Sequence, residues 1–233
     1  MKRAVGTFLV LCTTFSATFA LAQDRRKAVD RVKQAGTILD EIMAAPDQGI
    51  PSEILGSAEC VAIVPSLLKG AFGIGGQYGR GVVSCKTKAG WSAPAFFSLK
   101  GGSFGLQIGG QAVDLIMVVT NPQGMQALLN TTVKLGVDVS AAAGPVGRQA
   151  EATTDWKMRA EVLTYSRARG VFAGLSLNGA LIRQDHSSTE NFYGHMIPVK
   201  NLLTGVTPAP QDAQPFLLAI RRYTEASQTA AAK

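Results

Sequence analysis

The 233-residue chain contains few of the residue types on which most enzyme active sites depend. It has two histidines, and only 17% of its residues are charged. His186 and His195 are its only side chains that ordinarily titrate near neutral pH, and no carboxylate pair stands in a catalytic context. Asp185 and Glu190 lie near the histidines, but their spacing follows no metal-ligand pattern. A polar turn is therefore preferred over a metal site.

Nucleotide-binding and nucleophile motifs are also missing. Gly73 and Gly75 begin a glycine fingerprint, but Tyr78 occupies the position of its last glycine, and no Gly-Lys-Ser/Thr phosphate loop occurs. Ser176 resembles the nucleophile of a Gly-x-Ser-x-Gly turn, yet Asn178 replaces the final glycine and favours a turn or bulge. The sequence predicts a non-enzymatic protein without a cofactor. A hydrolase that uses Ser176 or the two histidines is a disfavoured alternative.

Apolar runs approaching the length of a bilayer span occur only at the N-terminus. In residues 1–22, Lys2 and Arg3 precede an apolar segment that ends in Ala20-Leu21-Ala22, the pattern of a cleaved secretory signal peptide. An uncleaved membrane anchor is the alternative, although the apolar run is short for a span. We therefore expect an exported protein that is periplasmic or peripherally attached to the envelope membrane.

The charge balance favours an acidic partner. The chain carries 23 basic and 16 acidic residues, and loss of the two basic residues of the signal peptide leaves a net charge near +5. Such a charge favours anionic lipid, nucleic acid or an acidic protein. Nucleic acid is disfavoured because the cations are not interleaved with stacking aromatic residues, and because export removes the protein from it.

Cysteine is scarce as well. The chain has three cysteines, and one of them, Cys12, lies in the predicted signal peptide. Cys60 and Cys85 remain, and an even count in an oxidising compartment predicts one disulfide between them. Two buried free thiols are the alternative.

The segment from Gln23 to Met43 has apolar residues at helical spacing and cations crowded towards its start. These cations are Arg25, Arg26, Lys27, Arg31 and Lys33. A basic amphipathic helix of this kind fits an anionic membrane surface. Periodicity alone favours the alternative, a helix that packs on the core and exposes a basic face, and its apolar side is mostly Ala and Val.

The most distinctive stretch, Val61 to Val119, alternates apolar runs with glycines. We expect strands there, the first from Cys60 to Val64 and ended by Pro65, because β-branched runs are bounded by turn residues. Lys69 and Arg80 place single cations beside flexible glycine backbone. Glycine within strands indicates either a sharply curved sheet or a surface where a ligand meets bare backbone.

A repeated Gly-x-Phe-Gly/Ala pattern, at Gly70, Gly102 and Gly170, favours the curved sheet. Further along, Val171 to Ile182 is predicted to form one long strand, followed by a polar connection over Gln184 to Glu190. The predicted fold class is α+β. Its sheet is strongly bent, mostly antiparallel, glycine-rich, open or barrel-like, and flanked by helices.

Several segments match the signature blocks of one protein family, in the right order. They are Val61-Ala62-Ile63-Val64-Pro65, Gly70-Ala71-Phe72-Gly73-Ile74-Gly75-Gly76, Tyr78-Gly79-Arg80-Gly81, Gly90-Trp91-Ser92-Ala93-Pro94-Ala95, Gly105-Leu106-Gln107-Ile108-Gly109, Gly144-Pro145-Val146-Gly147 and Tyr165-Ser166-Arg167-Ala168-Arg169-Gly170-Val171-Phe172-Ala173-Gly174. The sequence resembles SYLF domains over roughly Ala28 to Gly194. The ordered set is far more specific than any single block.

The resemblance to SYLF domains implies a lipid-binding module. Eukaryotic members bind phosphoinositides, partly through an N-terminal amphipathic helix, and some bind actin. For an exported chain, affinity for anionic phospholipid is the property that transfers best. The residues that would supply it are Arg25, Arg26, Lys27, Arg31, Lys33, Lys69 and Arg80.

The sequence thus predicts a signal peptide over residues 1–22, a SYLF-like lipid-binding domain over 23–200, and a linker, helix and tail over 201–233. The predicted function is peripheral binding of an anionic phospholipid membrane surface. The alternative is a structural or assembly protein of the envelope that binds a second copy of itself or a protein partner.

Overall fold

The computed structural model describes residues 2–45, 49–72, 74–104, 109–145, 160–168, 171–174 and 177–231. The helices in these ranges are α1 (Lys2–Met43), α2 (Ser52–Gly56), α3 (Pro122–Leu128), α4 (His186–Tyr193), α5 (Val199–Leu203) and α6 (Gln214–Ala231). The strands are β1 (Cys60–Phe72), β2 (Ile74–Thr87), β3 (Gly90–Trp91), β4 (Ala95–Phe104), β5 (Gly109–Val119), β6 (Thr132–Lys134), β7 (Ala141–Ala143), β8 (Val162–Ala168), β9 (Val171–Gly174) and β10 (Leu181–Gln184).

The strands form one strongly curled, half-barrel sheet. Its order is β6-β10-β4-β2-β1-β5-β8-β7, with β3 added to β2 and β9 added to β8. Among the described pairs of strands, only β7 and β8 run parallel. Helices flank the sheet. The predicted α+β class with a strongly bent, mostly antiparallel sheet is confirmed.

Alternate side chains of the central strands enter two apolar cores, one on each face of the sheet. On the first face, which we call the α1 face, Ile63, Val82 and Ile116 pack against α1, α2, α4 and α6. On the other, the α5 face, residues such as Leu67 and Leu99 pack with α5. Because both faces are covered here, the central strands read as nearly continuous apolar runs.

The predicted disulfide is present. Cys60 on β1 and Cys85 on β2 are directly opposite in the register, and their sulfur atoms are 2.06 Å apart. Both residues are fully buried on the α5 face. The bridge therefore joins two central strands inside the core.

Pro65 does not end the first strand, so the prediction of a short strand over Cys60 to Val64 was wrong. β1 continues to Phe72 through a bulge, where its register with β2 and β5 shifts. Ser66 adopts a left-handed φ of 53°, and its N–H donates a hydrogen bond to Asp114 Oδ1 (3.0 Å). A bulge is one of the few places where a strand tolerates proline, because the missing N–H is not needed for the ladder.

The second half of the chain also differs from the prediction. The long strand expected over Val171 to Ile182 is divided into β9 and β10, and Gly179 (φ 82°) forms a turn before β10. The polar connection expected after Gln184 is largely helical, because Asp185 caps α4 and Gly194 (φ 81°) ends it. The polar composition of this segment favoured a connection over a helix. The helix begins where it does because of one capping carboxylate.

The first helix is continuous from Lys2, so it begins before the predicted start at Gln23. No helix within the described ranges combines the length and apolar character needed to cross a bilayer. The signal peptide over residues 1–22 stays a prediction.

Candidate functional site

The apolar stripe of α1 is buried in the protein core. Val32, Ala35 and Leu39 are all fully buried, in one cluster with α6. The two helices are so close that a Cβ on Gly36 would lie 2.7 Å from the carbonyl oxygen of Pro215. α1 therefore packs on the core, as periodicity alone favoured, and in this fold its apolar side does not contact a membrane.

Two of the predicted cations on α1 form exposed ion pairs. Arg25 lies 2.7 Å from Asp212, just before α6, and Lys27 lies 2.9 Å from Asp24 of its own helix. Exposed pairs such as these are screened by salt and stabilise a fold only weakly. Their charges are partly compensated within the protein.

The other predicted cations on α1 lie in different surroundings. Arg26 and Lys33 are exposed, whereas Arg31 is half-buried. Arg31 Nη1 donates a hydrogen bond to Ser188 Oγ of α4 (2.9 Å), and its guanidinium carbon lies 5.8 Å from the ring centroid of Phe96. Arg31 thus belongs to the junction of α1, α4 and the sheet.

Lys69 and Arg80 lie on opposite faces of the sheet. Lys69 pairs with Gln77 and shares the α5 face with Leu67, because side chains alternate along a strand. Arg80 shares the α1 face with Val82 by the same rule. Burial lowers the pKa of Lys69. These two cations cannot contact one flat surface together.

Beyond the part that the helices cover, the α1 face is open to solvent. A row of directly paired residues crosses six neighbouring strands there. In order from β6 to β5, they are Lys134, Leu181, Lys100, Tyr78, Leu68 and Ala112. Directly paired residues share a face, and on this one Leu68 is 59%, Tyr78 40% and Leu181 38% exposed. We call this row, with Arg80 and Arg183 beside it, the open patch.

The open patch mixes apolar side chains with cations. Its cations, Lys100, Lys134, Arg80 and Arg183, are all exposed. Lys100 Nζ lies 5.5 Å from the ring centroid of Tyr78, whose hydroxyl accepts a hydrogen bond from Arg80 Nε (3.1 Å). That hydrogen bond raises the pKa of Arg80. Apolar and basic side chains are therefore exposed next to one another on one face of the sheet.

The glycines around the open patch divide into two kinds. A Cβ on Gly81 would lie 2.6 Å from the backbone oxygen of Ile63, so close packing requires glycine there. By contrast, Gly70 is exposed, with nothing within 4 Å of the position of a Cβ. It lies in a second paired row, made of Gly102, Gly76, Gly70 and Gly110, all exposed. The stretch from Val61 to Val119 therefore contains both closely packed glycines and glycines whose backbone is accessible to solvent.

Asp185 connects the open patch to α1 and α4. It is 8% exposed, and its Oδ1 accepts hydrogen bonds from the Ser188 N–H (3.1 Å) and the Ser187 hydroxyl (2.9 Å). Its Oδ2 accepts one from the Ser188 hydroxyl (2.8 Å) and lies 3.4 Å from Arg80 Nε. Asp185 therefore places Arg80 at the edge of α4.

The charges of this junction influence one another. Burial alone would raise the pKa of Asp185, but hydrogen bonds from Ser188 and Ser187 and the charge of Arg80 outweigh it, so the pKa is lowered. Burial lowers the pKa of Arg31, an effect that Asp185 opposes and Arg80 reinforces. Both guanidinium groups thus lie within the electrostatic influence of Asp185, which contacts Arg80.

Within the described residues, the histidines and carboxylates considered for metal chemistry do not assemble into a metal site. His186 is exposed on α4. Asp185 is the N-cap of α4, and His195 is exposed beyond the C-terminal end of that helix. Across the part of the chain that the structure describes, no group of three or more His, Cys, Asp or Glu side chains is placed to hold a metal ion. Ser176 lies outside the described residues.

Sequence reasoning missed most of the open patch. The sequence of β4 did contain an indication of the open patch. Phe96, Ser98 and Lys100 occupy alternate positions, so one face of the strand changes from apolar to basic along its length. That alternation does not say which strands are neighbours, or in which register. The row from Lys134 to Ala112 emerges only when six strands are paired.

Comparison with known proteins places this fold in a family. A sequence profile described as "Ysc84: Las17-binding protein actin regulator" matches residues 100–223, more than half of the chain. The chain belongs to the Ysc84 family of SYLF-domain proteins. The resemblance to SYLF domains is thereby confirmed. The match includes β5, β8 and β10, and it runs into α6.

Relatives of the SYLF domain share most of this chain. It is 33% identical over 175 residues to Protein YSC84 of Saccharomyces cerevisiae, covering 73% of this chain and 37% of the relative. It is 30% identical over 200 residues to the human SH3 domain-containing YSC84-like protein 1, covering 83% and 58%. Yeast LAS seventeen-binding protein 3 is 33% identical over 174 residues, covering 73% and 38%. The chain thus spans roughly a third to three fifths of these relatives.

Proposed function

We propose that this SYLF domain binds anionic phospholipid membranes peripherally, without catalysis, and that the open patch makes the contact. The observation that carries the proposal is the row of exposed Leu68, Tyr78 and Leu181 interleaved with cations on one face of the curled sheet. Apolar side chains among cations suit the boundary between headgroups and acyl chains.

The cations of the open patch supply the attraction. Lys100, Lys134 and Arg183 each contribute about 1 kcal/mol near an anionic membrane surface, whereas Asp185 partly compensates the charge of Arg80. Such attraction acts over roughly 10 Å in moderate salt and weakens as salt rises. The exposed apolar side chains add a component that salt does not screen. We therefore propose attachment that salt weakens but does not abolish.

The same proposal extends to location. The predicted signal peptide and the buried disulfide between Cys60 and Cys85 fit an oxidising compartment outside the cytosol. In that setting the anionic partner is the phospholipid of an envelope membrane, at which the chain is periplasmic or peripherally attached. Arg26 on α1 lies outside the open patch and adds to its charge at long range only.

Co-sedimentation with phosphatidylglycerol vesicles tests the proposed surface. The triple charge reversal Lys100→Glu, Lys134→Glu and Arg183→Glu should weaken binding on the order of a hundredfold at low salt. A matched control, Lys86→Glu, Lys88→Glu and Lys200→Glu, makes the same change in net charge at exposed positions elsewhere. Equal losses in both variants, or no binding by the wild-type chain, would sink the proposal.

A protein partner is the second candidate. The family description names Las17 binding and actin regulation, and the open patch is equally exposed to a protein. An envelope assembly protein would bind an acidic partner or a second copy through the same face. Pull-down with and without vesicles separates the two: a co-purifying protein that displaces the chain from lipid favours the protein partner.

A further inference from the structure

We infer that two copies of this chain pair through an unpaired edge of β5, so that Gly110 of each copy lies opposite Ala112 of the other in one continuous antiparallel sheet. The partner is a second copy of this chain, and backbone groups make the contact. The inference goes beyond the proposed function, and it rests on that function only for the consequence that pairing has at a membrane.

One side of β5 has no neighbouring strand over its first residues. β5 (Gly109–Val119) pairs with β1 along its whole length, whereas its pairing with β8 begins only at Asp114. Among the strands that the structure describes, none lies beside the residues before Asp114 on that second side. Gly110, Gln111 and Ala112 are all exposed. We call these three residues the free edge of β5, because a further strand can reach them.

The backbone groups of Gly110 and Ala112 point away from β1. At the end of β5, the N–H of Thr120 donates a hydrogen bond on the β8 side, and the carbonyl of Val119 accepts one on the β1 side. Successive residues of a strand direct these groups to alternate sides. The alternation is unbroken along β5, because its register with β8 has no shift and the bulge adds its extra residue to β1. Gly110 and Ala112 therefore each offer an N–H and a carbonyl to a new strand.

The free edge lacks most of the features by which proteins prevent edge pairing. Such features include charged side chains, proline and bulges, and the segment from Gly109 to Val113 contains neither charge nor proline. The edge at β6 is different. There the N–H of Lys134 donates to Asp138 Oδ2 (2.7 Å), and its carbonyl accepts hydrogen bonds from the N–H groups of Val137 and Asp138. The protein thus closes the edge at β6 and leaves that of β5 open.

A second copy of the same segment matches the free edge. When Gln111 of one copy lies opposite Gln111 of the other, each outward N–H of Gly110 meets a carbonyl of Ala112, and the reverse. The contact is symmetric, so it closes as a dimer. Lys69 pairs with Gln111, and the two Lys69 residues of a dimer would be three strand spacings apart, about 14 Å. That separation exceeds the screening length of roughly 8 Å at physiological salt, so their repulsion is small.

Pairing of this kind places both open patches on the same side. Ala112 pairs with Leu68 and Gly110 pairs with Gly70, all on the α1 face. Because directly paired residues share a face, the α1 faces of the two copies point the same way. So short a contact buries far less than the about 1,200 Å² of a stable interface, and the dimer is weak in solution. At a membrane, two patches attached together bind more tightly than one.

Disulfide trapping tests the register of the pairing. In a chain whose Cys12 is replaced by Ser, Gln111→Cys places a thiol where the two copies meet, and Gln34→Cys places one at an exposed position of α1. Opposed residues of a non-hydrogen-bonded pair are close enough to form a disulfide. At high protein concentration, Gln111→Cys should form covalent dimers about tenfold faster than Gln34→Cys, because pairing raises the local thiol concentration. Equal rates would overturn the inference.

A proline at the free edge tests the backbone contact by sedimentation equilibrium. Gly110→Pro removes an outward N–H without touching the ladder to β1, and it should weaken self-association roughly thirtyfold, because each copy loses a donor. Gly110→Ala is the matched control. It keeps the N–H, and its Cβ would lie 3.9 Å from the nearest atom, the carbonyl oxygen of Lys69, so it should associate like wild type. A dimer that persists in Gly110→Pro would overturn the inference, and trapping remains decisive if that variant does not fold.

The inference and the proposed function fail in different ways. Vesicle binding without trapped dimers overturns the pairing and leaves membrane binding intact, whereas trapped dimers without vesicle binding support the pairing and overturn the proposed function. Salt should weaken vesicle binding but favour pairing, because it screens the repulsion between two basic copies. Trapping that falls steeply as salt rises would overturn pairing through backbone groups. In an envelope extract, trapping of Gln111→Cys to another protein in place of a second copy would overturn the choice of partner.

Discussion

The covered and open parts of the α1 face use the same strands but have opposite surroundings. Along β2, Val82 is buried beneath the helices, whereas Tyr78, on the same face, is 40% exposed. Along β4, Phe96 is buried and Lys100 is exposed. Strand alternation places all four on one face, so the helices above them make the difference. The sheet is covered where its side chains are mostly apolar and open where apolar and basic residues mix.

The junction of Arg31, Asp185 and Arg80 marks the border between the two parts. Arg31 contacts the covered Phe96, and Arg80 contacts the open Tyr78. Apolar side chains could not cover these charged groups without a large loss of free energy, because a buried charge requires a partner. The two parts should therefore respond differently to substitution.

The largest effect is expected in the covered part. Leu39→Ala removes a fully buried side chain of α1 and should lower the free energy of unfolding by about 3 kcal/mol, because it leaves a cavity. Urea unfolding followed by circular dichroism measures this. The folded protein should still bind vesicles, since Leu39 is buried in the core and is not part of the open patch. A loss under about 1 kcal/mol would contradict the packing of α1 on the core.

A pair of glycine substitutions sharpens the comparison. Gly81→Ala should lower stability by about 2 kcal/mol, because its Cβ would overlap the Ile63 carbonyl and the Phe97 ring. Gly70→Ala should be neutral or stabilise by roughly 0.5 kcal/mol, because its Cβ would meet open space. Thermal melting of both variants checks the contrast. Equal losses would show that the two kinds of glycine are not distinct.

Asp185→Ala tests the border and its pH dependence. The substitution removes the cap of α4 and its bonds to Ser188, so stability at neutral pH should fall by about 2 kcal/mol. The pKa of Asp185 is lowered in the folded state, so its stabilisation is present above about pH 4 and is lost as pH falls through the folded pKa. Unfolding at a series of pH values should show the difference between wild type and variant shrinking in acid. A difference that stays constant would argue against an ionised Asp185.

The smallest effect on stability is expected in the open part. Leu68→Ser changes an exposed side chain and should alter the free energy of unfolding by less than about 0.5 kcal/mol. The same change should weaken vesicle binding, because it removes an apolar contact of the open patch. Parallel melting and co-sedimentation experiments separate the two readouts. A large loss of stability would mean that Leu68 belongs to the core.

Much of the fold could be predicted from local patterns. The β-branched runs and glycines of Val61 to Val119 indicated a bent sheet, and the even cysteine count indicated the bridge between Cys60 and Cys85. Both are properties that residue type and spacing control. The buried α1 followed the alternative that its Ala- and Val-rich periodicity favoured.

The composition of the candidate site could not be predicted in the same way. The bulge at Pro65 and Ser66 shifts the register of β1, so the face of Lys69 relative to Arg80 depends on a feature that the pattern does not show. The row from Lys134 to Ala112 joins residues far apart in the chain. Such a surface is a property of strand pairing and is absent from any single segment.

The most direct test of the account places a fluorescent probe in the open patch. In a chain whose own Trp91 and Trp156 are replaced by Phe, Tyr78→Trp carries the probe, and Val206→Trp carries it at a position that is 71% exposed and lies outside the patch. With anionic vesicles that contain a quencher in their acyl chains, the tryptophan at position 78 should be quenched and shift to shorter wavelength, while that at 206 should not. Quenching at 206 alone, or at neither position while the chain is bound, would contradict membrane contact through the open patch.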